Sequence, residues 1–216
     1  MWREGRVRTV LFDLDGTLID SRADLATAVN LTRRDFGLEP RSMETILAAV
    51  GEGVRRLIEQ AIPEYPEHWE EMVARQREHY GAHLLDQTCL YPGVAETVRT
   101  LCERGWRLGV VTNKPAPFIR PILEGLGVAE AFSAVVGGGD CPHLKPDPAP
   151  LRLAAARMGS ALQPTDWMVG DHFTDLAAGR NAGIRRAFCR FGFGEAREET
   201  FDLALDRMEE LLDALG

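Results

Sequence analysis

The sequence predicts an α/β fold: a doubly wound, mostly parallel sheet with an all-helical segment inserted into it. Three observations carry this prediction. From Tyr91 onward, apolar runs of strand length alternate with helix-length segments. Between Arg22 and about Asp86 only helical periodicity is found. One strand-like run precedes that block, so the helices interrupt the sheet after its first strand. The division is then a core of residues 1–19 and 88–216, and a helical cap of residues 20–87, the usual size of a small domain.

In chain order, Val7 to Asp13 reads as a strand ended by a Gly16-Thr17 turn. Leu25, Val29 and Phe36 mark one helical face; Val54, Leu57, Ile58 and Ala61 mark another. Glu67 to Leu85 is a longer polar helix, and Pro40, Gly51, Gly53, Pro63 and Pro66 punctuate the block. After the turn at Tyr91 come a helix from Val94 to Arg104, the run Arg107 to Asn113, a helix near Phe118 to Leu126 and the run Ser133 to Asp140. A helix around Leu151 to Met158, the run Asp166 to Asp171, a helix from Asp175 to Ala182 and the run Arg185 to Phe191 complete the alternation.

With 216 residues, 45% of them hydrophobic, the chain can fill such a core. Twenty-five basic against 33 acidic residues give a net charge of -8, a field that repels nucleic acid and acidic membranes, so an anionic ligand needs local cations. Cys89, Cys102, Cys141 and Cys189 show neither disulfide nor zinc spacing and suit reduced thiols. The charged N-terminus lacks an apolar leader and no stretch reaches membrane-span length, which predicts a cytoplasmic protein. Of the 25 basic residues 23 are arginine, leaving Lys114 and Lys145 as the only lysines, each a compact, strongly hydrated charge where the chain otherwise uses Arg.

Four apolar runs end in polar residues: Asp13, Thr112 with Asn113, Asp140, and Asp171. In a parallel sheet these ends gather along the ligand-binding edge. Asp13 and Asp15 face one side if strand geometry persists through them, and two close carboxylates call for a cation. Asp171 and Asp175 supply a second acidic pair. An all-oxygen, partly hydrated site of this kind suits Mg2+ better than zinc. Asp13 and Asp15 also read more plainly as a strand-end cap followed by a turn, Asp171 and Asp175 as a turn and helix start, and Thr112-Asn113 can simply cap the next helix. In the functional reading, the Thr112 hydroxyl and neighbouring amides bind a phosphate, and Lys145 beside an Asp nucleophile neutralises charge on a transferring phosphoryl group. Lys114 reads equally as a surface or a site residue, and His172 as a loop histidine or a substrate contact. Leu18 at the sixth position excludes an EF-hand loop, Pro142 spoils a dinucleotide fingerprint, and no Walker loop occurs.

In this order, "DLDGTL" at Asp13 to Leu18, "VVTNK" at Val110 to Lys114, Lys145 in "KPDP" and "GDHFTD" at Gly170 to Asp175 resemble the haloacid dehalogenase (HAD) superfamily. "DSRADL", "VGEGVRRL", "YPGV" and "KPDPAPL" are similar to its phosphoglycolate phosphatase-like branch. The resemblance implies a HAD-like Rossmannoid core and a Mg-dependent phosphomonoester hydrolase for a small phosphorylated metabolite, with 2-phosphoglycolate as a candidate. It further implies that Asp13 forms a phosphoaspartyl enzyme, that Asp15 serves as acid and base, and that Thr112, the Asn113 amide and Lys145 hold the phosphoryl group. Metal would be bound by Asp13, the Asp15 carbonyl and Asp171, supported by Asp175. In the cap, Gly51, Glu52, Gly53 and Arg55 or Arg56 would reach the rest of the substrate, although both arginines also read as a solvated helix face. His172 stands where the branch often has a small residue.

Sugar phosphomutase and pyrophosphatase chemistry are alternatives within the superfamily; the mutases typically carry a histidine where this chain has Leu25. A receiver-type phosphoacceptor domain is an alternative of another class, lacking the second acid and the insertion. A non-catalytic descendant would not have every catalytic position filled. A monomer or homodimer is expected.

Overall fold

The computed structural model describes residues 8–216; residues 1–7, among them the predicted strand start at Val7, lie outside the described residues. Four fully buried residues, Thr9–Phe12, form β1. A two-residue β2 (Ile19–Asp20) leads to helices α1 (Arg22–Asp35), α2 (Met43–Leu47), α3 (Val54–Ala61) and α4 (Trp69–Ala82), and the chain returns through β3 (Cys89–Leu90). The alternation follows as α5 (Val94–Glu103), β4 (Arg107–Pro115), α6 (Ala116–Gly125), β5 (Ala134–Gly138), α7 (Ala149–Arg157), β6 (Trp167–Gly170), α8 (Phe173–Ala182) and β7 (Arg185–Cys189). It closes with β8 (Leu203–Leu205) and α9 (Glu210–Leu215), both too short to show a period in the sequence.

Six strands pair in the order β5-β4-β1-β6-β7-β8, every pairing parallel. The chain runs from β1 outward to β5, then crosses back to the other side of β1 for β6. Direction therefore switches at β1, and the crevice beyond its carboxyl end is where such sheets bind ligands. The alternating side chains of the buried strands fill two layers. Val10 and Phe12 pack with Val98, Leu101, Ile119 and Leu211 on one face, while Leu11 joins Val111, Leu151 and Ala154 on the other.

Helices α1–α4 bury an apolar cluster of their own, including Val29, Ile46, Ile58 and Met72. The chain enters and leaves them through the antiparallel β2–β3 pair, with Ile19 opposite Leu90. Asp24, buried near the start of α1, accepts from the N–H groups of Gln87 (3.0 Å) and Thr88 (2.8 Å) and from the Thr88 hydroxyl (2.7 Å), which fastens the outgoing linker to the returning one. Helices α6, α7 and α8 begin two residues earlier than the sequence pattern suggests. Proline precedes the first two and His172 caps the third, and these positions carry no apolar periodicity. No helix among the described residues is long and apolar enough to cross a membrane.

Candidate active site

Strand β1 ends at Phe12, and the Asp13 N–H donates to the Val169 carbonyl of β6 at 2.8 Å, so the first aspartate is fixed at the switch point by its own backbone. On one side β4 presents Thr112, Asn113 and Lys114; on the other β6 runs into Asp171. Asp175 sits in the first turn of α8 and accepts from the His172 N–H at 3.0 Å, completing a capping box. Carboxylate oxygens of Asp13, Asp171 and Asp175 all lie within 4.8 Å of one another, and all three residues are buried. The Lys145 ammonium enters this group, donating to Asp13 Oδ1 at 2.8 Å, Asp175 Oδ1 at 2.5 Å and the Val111 carbonyl at 2.6 Å. All three of its donors are used within the protein, so Lys145 offers a ligand in the crevice its charge and not a hydrogen bond.

Burial pushes the Asp13 carboxyl up to about 6; Asp175 adds to the rise and Lys145 opposes it. Burial, Asp13 and Asp175 raise Asp171 well above the ordinary carboxylate range, although the Gly194 and Phe193 N–H groups donate to it. Burial would depress Lys145, but Asp13 and Asp175 overcome it and push the ammonium up. Three buried carboxylates face one ammonium, and the upward shifts of Asp13 and Asp171 reflect a group short of positive charge. An all-oxygen donor set in that position fits a hard divalent cation.

Asp171 is packed on three sides by backbone. Its Oδ2 accepts from the N–H groups of Phe193 (3.0 Å) and Gly194 (2.8 Å), and its Oδ1 from the Thr17 hydroxyl (3.3 Å). Gly16 and Gly192 approach so closely that a Cβ on either would overlap its side chain. Gly16 also has φ +81°, the left-handed turn that ends the β1 loop.

The strand geometry does not persist to Asp15. That carboxylate belongs to a second cluster, separate from the three-carboxylate group. Its Oδ1 accepts from the Ser21 hydroxyl at 2.6 Å, and its two oxygens accept from Lys114 Nζ at 2.8 and 3.0 Å. Lys114, only 7% exposed, is a site residue and not a surface one. Its ammonium lies 4.2 Å from the centroid of the Tyr80 ring of α4.

Asp13, Asp15, Thr112, Asn113, Lys114, Asp171 and His172 line one cavity, closed on the helical side by Gly51, Gly53 and residues of α1, α3 and α4. The Asn113 side chain joins the two halves, donating to the Gly51 and Lys145 carbonyls (both 2.9 Å) and accepting from the Lys145 N–H (2.8 Å). With that amide committed, only the main-chain N–H of Asn113 is left to meet a ligand. The imidazole of His172 packs against Gly51, where a Cβ would come within 2.7 Å, and burial pushes its pKa down to about 4.

Several expected positions lie elsewhere. Arg55 pairs with Glu59 and Glu70, and Arg56 with Glu59, on the exposed face of α3; neither lines the cavity, because the apolar side of that helix is the one buried. Glu52 reaches Arg197 at 3.6 Å, outside the cavity lining. Asp140, at the end of β5, turns back to the Gly137 N–H and pairs with Arg157. Sequence reasoning missed Ser21, Asp24, Gln76, Tyr80 and the Phe193-Gly194 amides. Ser21 and Asp24 lie in "DSRADL", where a hydroxyl and an acid flanking a helix start were the available signal; the others carried none beyond helical or loop composition.

Residues 10–189 match the family model described as haloacid dehalogenase-like hydrolase. Among curated relatives, the phosphoglycolate phosphatase of Cereibacter sphaeroides is 39% identical over 87% of this chain and 87% of its own length. That of Escherichia coli K12 is 35% identical over 97% of this chain and 93% of its own. The crystal structure of a predicted phosphoglycolate phosphatase from Haemophilus somnus 129pt superposes with a TM-score of 0.89 at 29% identity, covering 99% of this chain and 100% of that one.

Proposed function

Because the chain belongs to the haloacid dehalogenase-like hydrolases, as a phosphatase of the phosphoglycolate phosphatase-like branch, we propose that it hydrolyses a small phosphomonoester, 2-phosphoglycolate, with magnesium and through a phosphoaspartyl intermediate. One observation carries this reading. Asp13 and Asp15 open on the same cavity but are held by different lysines, Asp13 by Lys145 and Asp15 by Lys114, which gives two adjacent carboxylates different tasks.

In the first step Asp13 attacks phosphorus, the bond from phosphorus to the ester oxygen breaks, and Asp15 delivers a proton to the departing alkoxide. In the second, Asp15 takes a proton from water as its oxygen attacks the acyl phosphate, releasing inorganic phosphate and restoring Asp13. The Thr112 hydroxyl and the Asn113 main-chain N–H hold the phosphoryl oxygens, while Lys145 keeps a positive charge against Asp13 throughout. Ser21 and Lys114 fix the direction of the Asp15 carboxylate. Asp13, Asp171 and Asp175, with the Asp15 carbonyl, are the groups that would hold magnesium, whose charge stabilises the phosphoryl oxygens when bound. Leu25 lines the cavity and offers no proton-transfer group, which speaks against a phosphomutase.

The test is phosphate release from a panel of phosphomonoesters with and without magnesium. Asp13→Asn is expected to abolish turnover with the fold retained by circular dichroism. Asp15→Asn is expected to slow both half-reactions by about 10²–10⁴-fold. Turnover surviving in Asp13→Asn overturns the covalent mechanism.

A further inference from the structure

We propose that Lys114, with Gln76 and Tyr80 of α4, forms the subsite that receives the carboxylate of the substrate, and so selects short phosphate esters bearing a carboxylate next to the ester carbon. The inference rests on the proposed hydrolysis of 2-phosphoglycolate and assigns the part of the site that reads the non-phosphate end.

A dianionic phosphate joined to a carboxylate needs two separated cationic centres. Lys145 and the metal-binding carboxylates serve the phosphoryl end. Among the described residues, Lys114 is the only Lys or Arg that lines the cavity itself: Lys145 lies behind Asp13, and Arg55 and Arg56 are paired on the outer face of α3. Its position suits the task. Lys114 Nζ contacts both oxygens of Asp15, the group placed to protonate the ester oxygen, and in 2-phosphoglycolate the carboxylate begins two bonds from that oxygen. A carboxylate at that place therefore falls beside the ammonium. Asp15 already has a neutral donor in Ser21, so fixing its direction does not by itself call for a buried cation.

The surroundings reinforce the assignment. Gln76 is buried on the cavity-facing side of α4, one turn from Tyr80, and contributes an amide. The Tyr80 hydroxyl is buried beside the Lys114 ammonium, which can only donate to it, so its own proton is left without an acceptor. Burial pushes that phenol up to about 12, with Lys114 opposing, so it stays a donor at neutral pH. A buried polar group left unpaired is costly, and an incoming carboxylate offers it an acceptor. The rest of this end, including Leu25, Val54, Leu57 and Phe118, is apolar and gives nothing to the hydroxyls of a sugar.

The experiment compares kcat/KM of the enzyme for 2-phosphoglycolate and for ethyl phosphate, which has a methyl group in place of the carboxylate. The wild type is expected to prefer 2-phosphoglycolate, and Lys114→Met to lower that preference by about 10–100-fold, the range for a hydrogen bond to a charged group. Lys114→Met also disturbs Asp15, so it slows both substrates; the ratio is the readout. Gln76→Leu and Tyr80→Phe leave the ammonium in place and are each expected to reduce the ratio by about tenfold, mainly through KM. If the wild type prefers 2-phosphoglycolate but all three variants keep its ratio, the subsite is overturned and the proposed function stands. If the wild type hydrolyses phosphomonoesters with no such preference, 2-phosphoglycolate fails as the substrate and the subsite falls with it. Should Lys114→Met not fold, the ratios of the two α4 variants decide.

Discussion

Replacing Gly16 by alanine tests how tightly the acidic centre is confined. At Gly16 an added Cβ would stand 2.0 Å from Asp171 Oδ2, against the 3.4 Å at which ordinary van der Waals contact begins, so the carboxylate has to retreat by about 1.4 Å. It has nowhere to go. Phe193 and Gly194 hold Oδ2 by two N–H groups, and Gly192 presses on its Cβ from another side. Alanine at φ +81° adds a left-handed strain of about 1–2 kcal/mol. A displacement of roughly 1 Å in a catalytic constellation costs about 10²-fold in rate. Gly16→Ala is therefore expected to lower kcat for phosphate release about 100-fold, and to lose stability in urea by more than the left-handed strain alone. Gly37→Ala is the control: its φ is +69° with nothing within 4 Å, so it should carry the same backbone strain and keep its activity. A Gly16→Ala enzyme within threefold of wild-type kcat would refute the confinement of Asp171.

Asp24→Ala leaves the buried N–H and hydroxyl of Thr88, and the part-buried N–H of Gln87, without their acceptor, and should cost about 2–3 kcal/mol in urea unfolding; a loss below about 1 kcal/mol would show that the linkers hold without it. Glu64 joins Arg33 and Arg41 on the helical insertion. Burial would raise its carboxyl, but the two guanidinium groups hold it down to about 2, below the 4.5 of the unfolded chain. Because the folded value is the lower one, this contribution is complete above pH 4.5 and fades as pH falls toward 2. The Tm difference between wild type and Glu64→Gln should thus be full at pH 7 and shrink steadily below pH 4.5, and a difference that ignores pH would remove Glu64 from the pairing.

The parts of the site that could be read in advance lie at strand ends. Asp13, Thr112 and Asp171 each follow an apolar run, and Lys145 stood out because the chain otherwise uses arginine. Asp140 carried the same local signal, yet it folds back on its own turn, since a strand-end aspartate also satisfies a nearby N–H. Lys114 was legible only as an unusual residue type. Its partner Asp15 is 99 positions away, and burial settled the choice between surface and site. The glycine cradle of Asp171 and the α4 side chains at the far end of the cavity left no pattern, because their role is an approach to something distant in the chain.

Taken alone, the amino-acid order determined the α/β alternation, the helical interruption after the first strand and the identity of the acidic residues, since period-two and period-3.6 patterning are properties of neighbouring residues. Which lysine meets which aspartate, and which face of α3 turns away from the cavity, was decided only in three dimensions. The physical reason is that an ion pair depends on distance and burial, and those follow from the strand order around β1 and the packing of the inserted helices against it.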